Sequence, residues 1–129
     1  MTALARFAPS LLSLLRIAAG LLILLHGART VLGFPRGGPP HPALMTQAGL
    51  QGLVELVGGG ALALGLFTRP VALALLADMA ATYALAHARR SPYPLLNGGE
   101  AAMLFCFVLL YLAAAGAGPF SVDRMRGRA

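Results

Sequence analysis

"ELVGGGALALGLFTRP" (55–70) opens on a carboxylate and then stays apolar until Arg69. Extended backwards, the run from Ala43 to Phe67 holds one charge, Glu55. A hydrocarbon core is crossed by roughly 20 residues of helix, so this stretch reads as a membrane span. A charged side chain at the centre of such a span costs about 2.5–3.5 kcal/mol on insertion scales, and therefore tends to be paired and functional. The acid must face something inside the protein.

The rest of the chain agrees. Of its 129 residues, 58% are hydrophobic and 11% charged, where a water-soluble domain carries about 25% charged residues. The chain cannot cover its own surface with polar groups, and it reads as one integral membrane domain, residues 1–129, embedded in a lipid bilayer. All ten basic residues are arginine and the net charge is +6. Aromatics are sparse and no basic stripe accompanies a nucleic-acid motif, so no nucleic-acid partner is expected; the charge reads as topology and lipid contact. Cys106 has no second cysteine, which excludes an intramolecular disulfide or a CxxC redox pair. Arg16 interrupts the first apolar run, and "LLHGART" (24–30) offers no convincing cleavage site, so this segment is expected to remain in place.

Four segments are long enough to cross a bilayer, at about 10–33, 45–67, 71–88 and 97–115. Lipid offers no partners to unpaired backbone groups, and the alternation of barrel strands is absent. The expected fold is all-α, a transmembrane four-helix bundle, with a basic C-terminal tail at 119–129. "GFPRGGPPHP" (33–42) must be an irregular loop, and "FTRP" (67–70) a tight turn with Pro70 suited to the first position of the next helix. Four crossings put both termini on one side with Arg6, Arg69, Arg124, Arg126 and Arg128, against Arg29, Arg36, Arg89 and Arg90 on the other. That balance points to cytoplasmic termini. Gly49, Gly52, Gly58 to Gly60 and the alanines of the third segment let helix backbones approach closely.

The ionisable groups within or at the edges of the spans are Arg16, His26, Arg29, Glu55, Asp78, His87 and Glu100. At about 100° per residue, His26 and Arg29 share a face near the long loop. His87 ends the third helix on that side, with Tyr83 on its face. Glu100 opens the fourth, with Phe107 and Tyr111 on its stripe. Four groups from three helices thus converge at one membrane face, with Glu55 near the midplane below them. Asp78 lies about 180° around the helix from His87, away from that pocket and level with Arg16. An Arg16–Asp78 ion pair, an Arg16–Glu55 contact and an Asp78 contact with another subunit all remain open. Structural ion pairs that set helix register are the alternative for Arg16, Arg29 and Glu55. His26, His87 and Glu100 offer two nitrogens and an oxygen to a metal, but no short ligand motif accompanies them, and no metal is expected.

The chain resembles the DoxX family of small four-helix membrane proteins over about residues 11–123. The resemblance rests on "LLRIAAGLLILLHG" (14–27), "GLVELVGGGALALGLFTRP" (52–70), His87, "LLNGGE" (95–100) and "GPFSVD" (118–123). The family is named for a membrane subunit of a thiosulfate:quinone oxidoreductase, and other members are associated with redox or stress-related membrane complexes. The resemblance implies a multi-pass protein of the bacterial cytoplasmic (inner) membrane, and places Arg16, His26, Glu55, His87 and Glu100 on recurring polar positions; Asp78 is not among them. The leading expectation is a redox-associated membrane subunit, catalytic only as part of a quinone-linked oxidoreductase, with no covalently bound cofactor. Quinone is the expected ligand and a partner subunit the electron source. His26 and His87 would donate and relay protons, Glu100 would store one, and Arg29 would stabilise a developing anion. Glu55, Phe107, Tyr111 and Tyr83 would line the pocket. A non-catalytic assembly or scaffold subunit is the alternative, for which exchanging Arg16 and Glu55 should restore function. A small-solute transporter is a weaker reading, and a homo-oligomer fits any of the three.

Overall fold

The computed structural model describes residues 2–128. Its elements are α1 (Thr2–Ala5), α2 (Ala8–Leu32), α3 (Gln47–Leu64), α4 (Thr68–Thr82), α5 (Pro94–Asn97), α6 (Glu100–Ala115) and α7 (Val122–Met125). A π-helical turn, Tyr83–His87, continues α4 without a break. The fold of the described residues is all-α.

Local chemistry sets the ends of the helices. Thr46 caps α3 by accepting the Gly49 N–H at 3.1 Å, satisfying one of the donors that a helix start leaves free. Glycines 33 and 65 close α2 and α3 at φ 68° and 70°. In "FTRP", α4 begins at Thr68, so Pro70 is the third helical residue rather than the first. The early start has a cause far along the chain: the Asp123 carboxylate accepts the N–H groups of Phe67 and Thr68, each at 2.8 Å. Pro70 remains harmless, because first-turn N–H groups have no partner inside the helix.

The α2–α3 pair is in backbone contact. A Cβ on Gly27 would lie 2.2 Å from the Leu56 nitrogen, and one on Gly59 would lie 2.4 Å from the Leu24 nitrogen. Small residues permit this approach, which lipid alone would not drive. Next to α3 comes α4, and next to α4 comes α6, whereas α2 and α6 touch only slightly. The interior is a thin apolar layer of Ala19, Ile23, Leu62, Ala72, Leu75, Met79, Leu109 and Leu112.

Most large apolar side chains face outwards. Leu14, Leu104 and Phe107 are 61%, 66% and 65% exposed, which suits lipid and not water. Two helical stretches, Ala8–Leu32 and Thr68–His87, are long and apolar enough to cross a membrane. Helix α3 carries Gln47, Gln51, Glu55 and five glycines in 18 residues, which lower its hydropathy, and α6 has 16 residues. The expected basic tail is partly folded: α7 brings Asp123 into the protein, 6% exposed, and leaves Arg124, Arg126 and Arg128 outside.

Candidate functional site

Two polar regions lie at different depths. The first surrounds Arg16, which is fully buried. Its Nε donates to the Ala117 carbonyl at 2.8 Å, Nη1 to those of Leu62, at 2.7 Å, and Ala63, and Nη2 to that of Phe120. These carbonyls belong to the last turn of α3 and to the segment after α6, where helices leave acceptors unpaired and the helix dipole favours a cation. Arg69 does the same for Ala113 and Ala114 at the end of α6. Around them the Ser13 hydroxyl accepts the Phe120 N–H, and the Ser121 hydroxyl accepts the Arg124 N–H while donating to Gly118. Burial alone would raise the Asp123 carboxyl, but the two N–H donors and the charge of Arg126 hold it below the usual value of 3.8.

The Arg16–Asp78 ion pair is therefore not formed, and neither is an Arg16–Glu55 contact. A guanidinium with five N–H donors is occupied by backbone at the opposite end, and the rescue expected from exchanging Arg16 with Glu55 loses its basis. Glu55 on α3 instead has the acid Asp78 of α4 as its charged neighbour, across the α3–α4 contact.

The second region is a cavity of about 100 Å³, lined by Ile23 and His26 of α2, Glu55 of α3, Met79 and Thr82 of α4, His87 of the π turn, Gly98, and Ala101, Ala102 and Phe105 of α6. Glu55 is 7% exposed. Four buried side-chain atoms of the described residues lack a hydrogen-bond partner. Thr68 Oγ1 lies at the Arg16 end; Asp78 Oδ2, Thr82 Oγ1 and His87 Nδ1 follow one another along α4 and its π turn. Most buried polar atoms in proteins are paired; three of these four exceptions share one stretch, two of them on residues that line the cavity.

The π turn revises the helical-wheel expectation. The Ala88 N–H bonds the Tyr83 carbonyl at 2.8 Å, an i→i+5 bond. The wider turn rotates His87 back relative to a regular helix, and His87 and Thr82 both line the cavity, which Asp78 does not. Single π turns inside helices are frequent at functional sites.

Of the expected site residues, the cavity unites His26, Glu55 and His87. Tyr83 stands behind His87, ring centroids 6.2 Å apart, and accepts a hydrogen bond from Asn97 Nδ2 at 3.1 Å. The others lie elsewhere. The Arg29 guanidinium donates to the carbonyls of Gly37 and Pro39, tying down the 33–42 loop. Glu100 is exposed in the first turn of α6, where the helix dipole favours an acid, and the cavity is lined by its neighbours Gly98 and Ala101. Phe107 and Tyr111 face outwards, 65% and 55% exposed, and Phe105 takes the aromatic position instead. Among the described residues, no three His, Cys, Asp or Glu side chains form a group that could hold a metal.

Thr82, Met79, Phe105 and Asn97 went unnoticed in the sequence. Asn97 is 1% exposed; it bonds Tyr83 and the Ser91 carbonyl, and its Oδ1 accepts the Gly99 N–H at 2.8 Å. Its signal was available in "LLNGGE", as an Asn before two glycines. Thr82 and Phe105 carried no signal, because nothing in the sequence announces a change of helical pitch.

Comparison with known proteins accords with this picture. The DoxX family model matches residues 11–88, a narrower span than the motifs suggested, ending before "LLNGGE" and "GPFSVD". A protein of Haemophilus influenzae described as uncharacterized is 35% identical over 132 residues, covering 95% of this chain and 96% of that protein. No solved structure matches. With more than half of its length matched from Arg16 through His87, the chain is a membrane protein that belongs to the DoxX family.

Proposed function

We propose that the chain is a multi-pass subunit of a redox-associated complex of the bacterial cytoplasmic membrane, in which the cavity between α2, α3, α4 and α6 receives the head of a quinone. All four long helices cross the bilayer, with the termini and the Arg16 end on the cytoplasmic side. The observation that carries this reading is the construction of the cavity: two histidines, the Glu55 side chain, Thr82 and the Phe105 ring meet around open space.

The fit is specific in one respect. A cavity of about 100 Å³ is smaller than the roughly 150 Å³ that takes a benzene ring, so a ring enters by one carbonyl edge. Beside it, an apolar groove of about 320 Å³ runs between α2 and α6, lined by Leu15, Ala18, Leu22, Leu104 and Val108 and sharing Ala101 and Phe105 with the cavity. A ligand with a polar ring and a long hydrocarbon chain matches the two together. A bound quinone takes up two electrons, supplied here by a partner carrying a flavin or iron–sulfur centre, and two protons. The imidazoles of His87 and His26 line the cavity and are the groups there suited to donate a hydrogen bond to a carbonyl oxygen and to carry protons. Arg29 is taken up by the 33–42 loop and Glu100 lies outside the cavity lining, so neither is given a part.

The test is quinone binding by the purified protein in lipid nanodiscs, with partner-dependent reduction measured on the complex recovered in mild detergent. His87→Ala is expected to weaken binding at least tenfold. Absence of binding, with reduction unaffected by His26→Ala and His87→Ala, would leave the scaffold role.

A further inference from the structure

We infer that the folded C-terminal segment and the end of α3 form a binding site for an anionic phospholipid. Its phosphate meets Arg124, Arg126 and Arg128, and an acyl chain lies in the groove beside them. This site is at the opposite end of the bundle from the cavity and is independent of what the cavity binds.

An open, largely apolar groove of about 430 Å³ runs between the end of α3 and the segment that leads into α7, lined by Ala63, Leu64, Pro119, Phe120, Val122 and Met125. Leu64, Phe120 and Met125 are exposed along it. Its two walls are tied together. The buried Arg16 guanidinium donates to the Ala63 carbonyl on one side and to the Phe120 carbonyl on the other. A Cβ on Gly65 would lie 2.4 Å from the Ser121 Cβ, and the Asp123 N–H donates to the Gly65 carbonyl at 2.9 Å. The tail is thus seated on the protein at the level where α3 ends and α4 begins. The end of a spanning helix marks the headgroup level of a bilayer, so the groove opens on lipid.

Charge decides the occupant. Arg6, Arg69, Arg124, Arg126 and Arg128 are exposed at this end. None of the four Asp and Glu side chains offsets them in the open. Glu55 and Asp78 lie within α3 and α4, Glu100 opens α6 at the other end, and Asp123 is buried against the Phe67 and Thr68 N–H groups. Arg69 is taken up by the Ala113 and Ala114 carbonyls, which leaves the tail. There Arg124 and Arg126 flank the groove residue Met125 in the chain, and the Arg128 N–H bonds the Asp123 carbonyl at 2.8 Å, closing all three arginines into one compact turn. Guanidinium groups match phosphate oxygens in geometry and charge, and basic clusters next to a span attract anionic lipid. A free phosphate would use the arginines and leave the groove empty; a neutral lipid would do the reverse. An anionic phospholipid uses both.

Native mass spectrometry of the full chain, released from liposomes of phosphatidylglycerol and phosphatidylcholine with matched acyl chains, tests this. Phosphatidylglycerol is expected to be retained roughly tenfold over phosphatidylcholine. The Arg124→Gln/Arg126→Gln/Arg128→Gln variant should abolish that preference, and Leu64→Gln/Met125→Gln should lower retention of phosphatidylglycerol by roughly fivefold. Arg36→Gln/Arg89→Gln/Arg90→Gln removes as much charge from the other end and should leave the preference intact. Every substituted side chain is exposed, so the fold is expected to survive in all of them. Equal retention of the two lipids, or an equal loss of preference in the two arginine variants, would overturn the proposal. So would displacement of the lipid by glycerol phosphate, or full retention in Leu64→Gln/Met125→Gln, since either would make the site one for a phosphate group alone.

Discussion

At the Arg16 end, one guanidinium meets four carbonyls, two serines bond the backbone and a carboxylate caps a helix. At the Glu55 end, two acids are neighbours, and a carboxylate oxygen, a hydroxyl and an imidazole nitrogen are buried without a partner close to a cavity. Both regions are polar and enclosed by apolar helices. The first leaves one polar atom unused, Thr68 Oγ1; the second leaves three. A polar group with all its bonds made inside the chain holds the chain in shape. A polar group left without partners has a cost that packing does not return, and it persists where something else binds. The difference separates structure from chemistry more sharply than charge or depth does.

Mutations should respect the division. Arg16→Met leaves several buried carbonyls unpaired and is expected to lower stability by about 3–5 kcal/mol, read from unfolding in detergent. Arg16→Lys should recover only part of this, since an ammonium cannot span a fork of acceptors. A variant within about 1 kcal/mol of wild type would erase the contrast. Gly27→Ala places a methyl where the Leu56 backbone lies and should cost about 1–3 kcal/mol, measured the same way, with α2 and α3 forced apart.

Asp123→Asn is expected to cost about 1 kcal/mol at neutral pH. Because folding depresses this carboxyl below its usual value, its contribution is present above the unfolded value and is lost as pH falls through the folded one. Wild type should lose stability below about pH 4, and the variant should show a flatter acid limb. A limb that is unchanged would place the acid sensitivity elsewhere. The smallest effect on stability is expected at the other end. Glu55→Gln and Asp78→Asn should each alter unfolding by under about 1 kcal/mol, because a neutral isostere replaces an acid that no arginine holds. Glu55→Gln, in the cavity wall, should still reduce partner-dependent quinone reduction by roughly 100-fold. A large loss of stability instead would make the pair a structural device like Arg16.

Much of the fold was legible. Apolar runs, glycine and proline punctuation, and the scarcity of charge located each long helix to within a few residues. "GPFSVD" stood out as a motif, but its task did not, since Asp123 caps a helix that begins 55 residues earlier. The site was legible in part. His26, Glu55 and His87 were singled out because ionisable residues are rare in lipid, and they do line one cavity. Arg29, Glu100, Phe107 and Tyr111 shared their depth or stripe, yet the structure uses or exposes them elsewhere.

Composition and periodicity therefore determined that this chain enters a membrane, which segments are helical and which side chains are costly there, because each property is local and additive along the chain. Only the tertiary structure decided which costly groups meet. Arg16 found carbonyls instead of acids, because helix ends brought together from three parts of the chain offered more acceptors than one carboxylate. His26, Glu55 and His87 came to line one cavity, because α2, α3 and α4 pack side by side and a π turn ends α4. Pairing is a property of distance in space, and a linear pattern does not carry it.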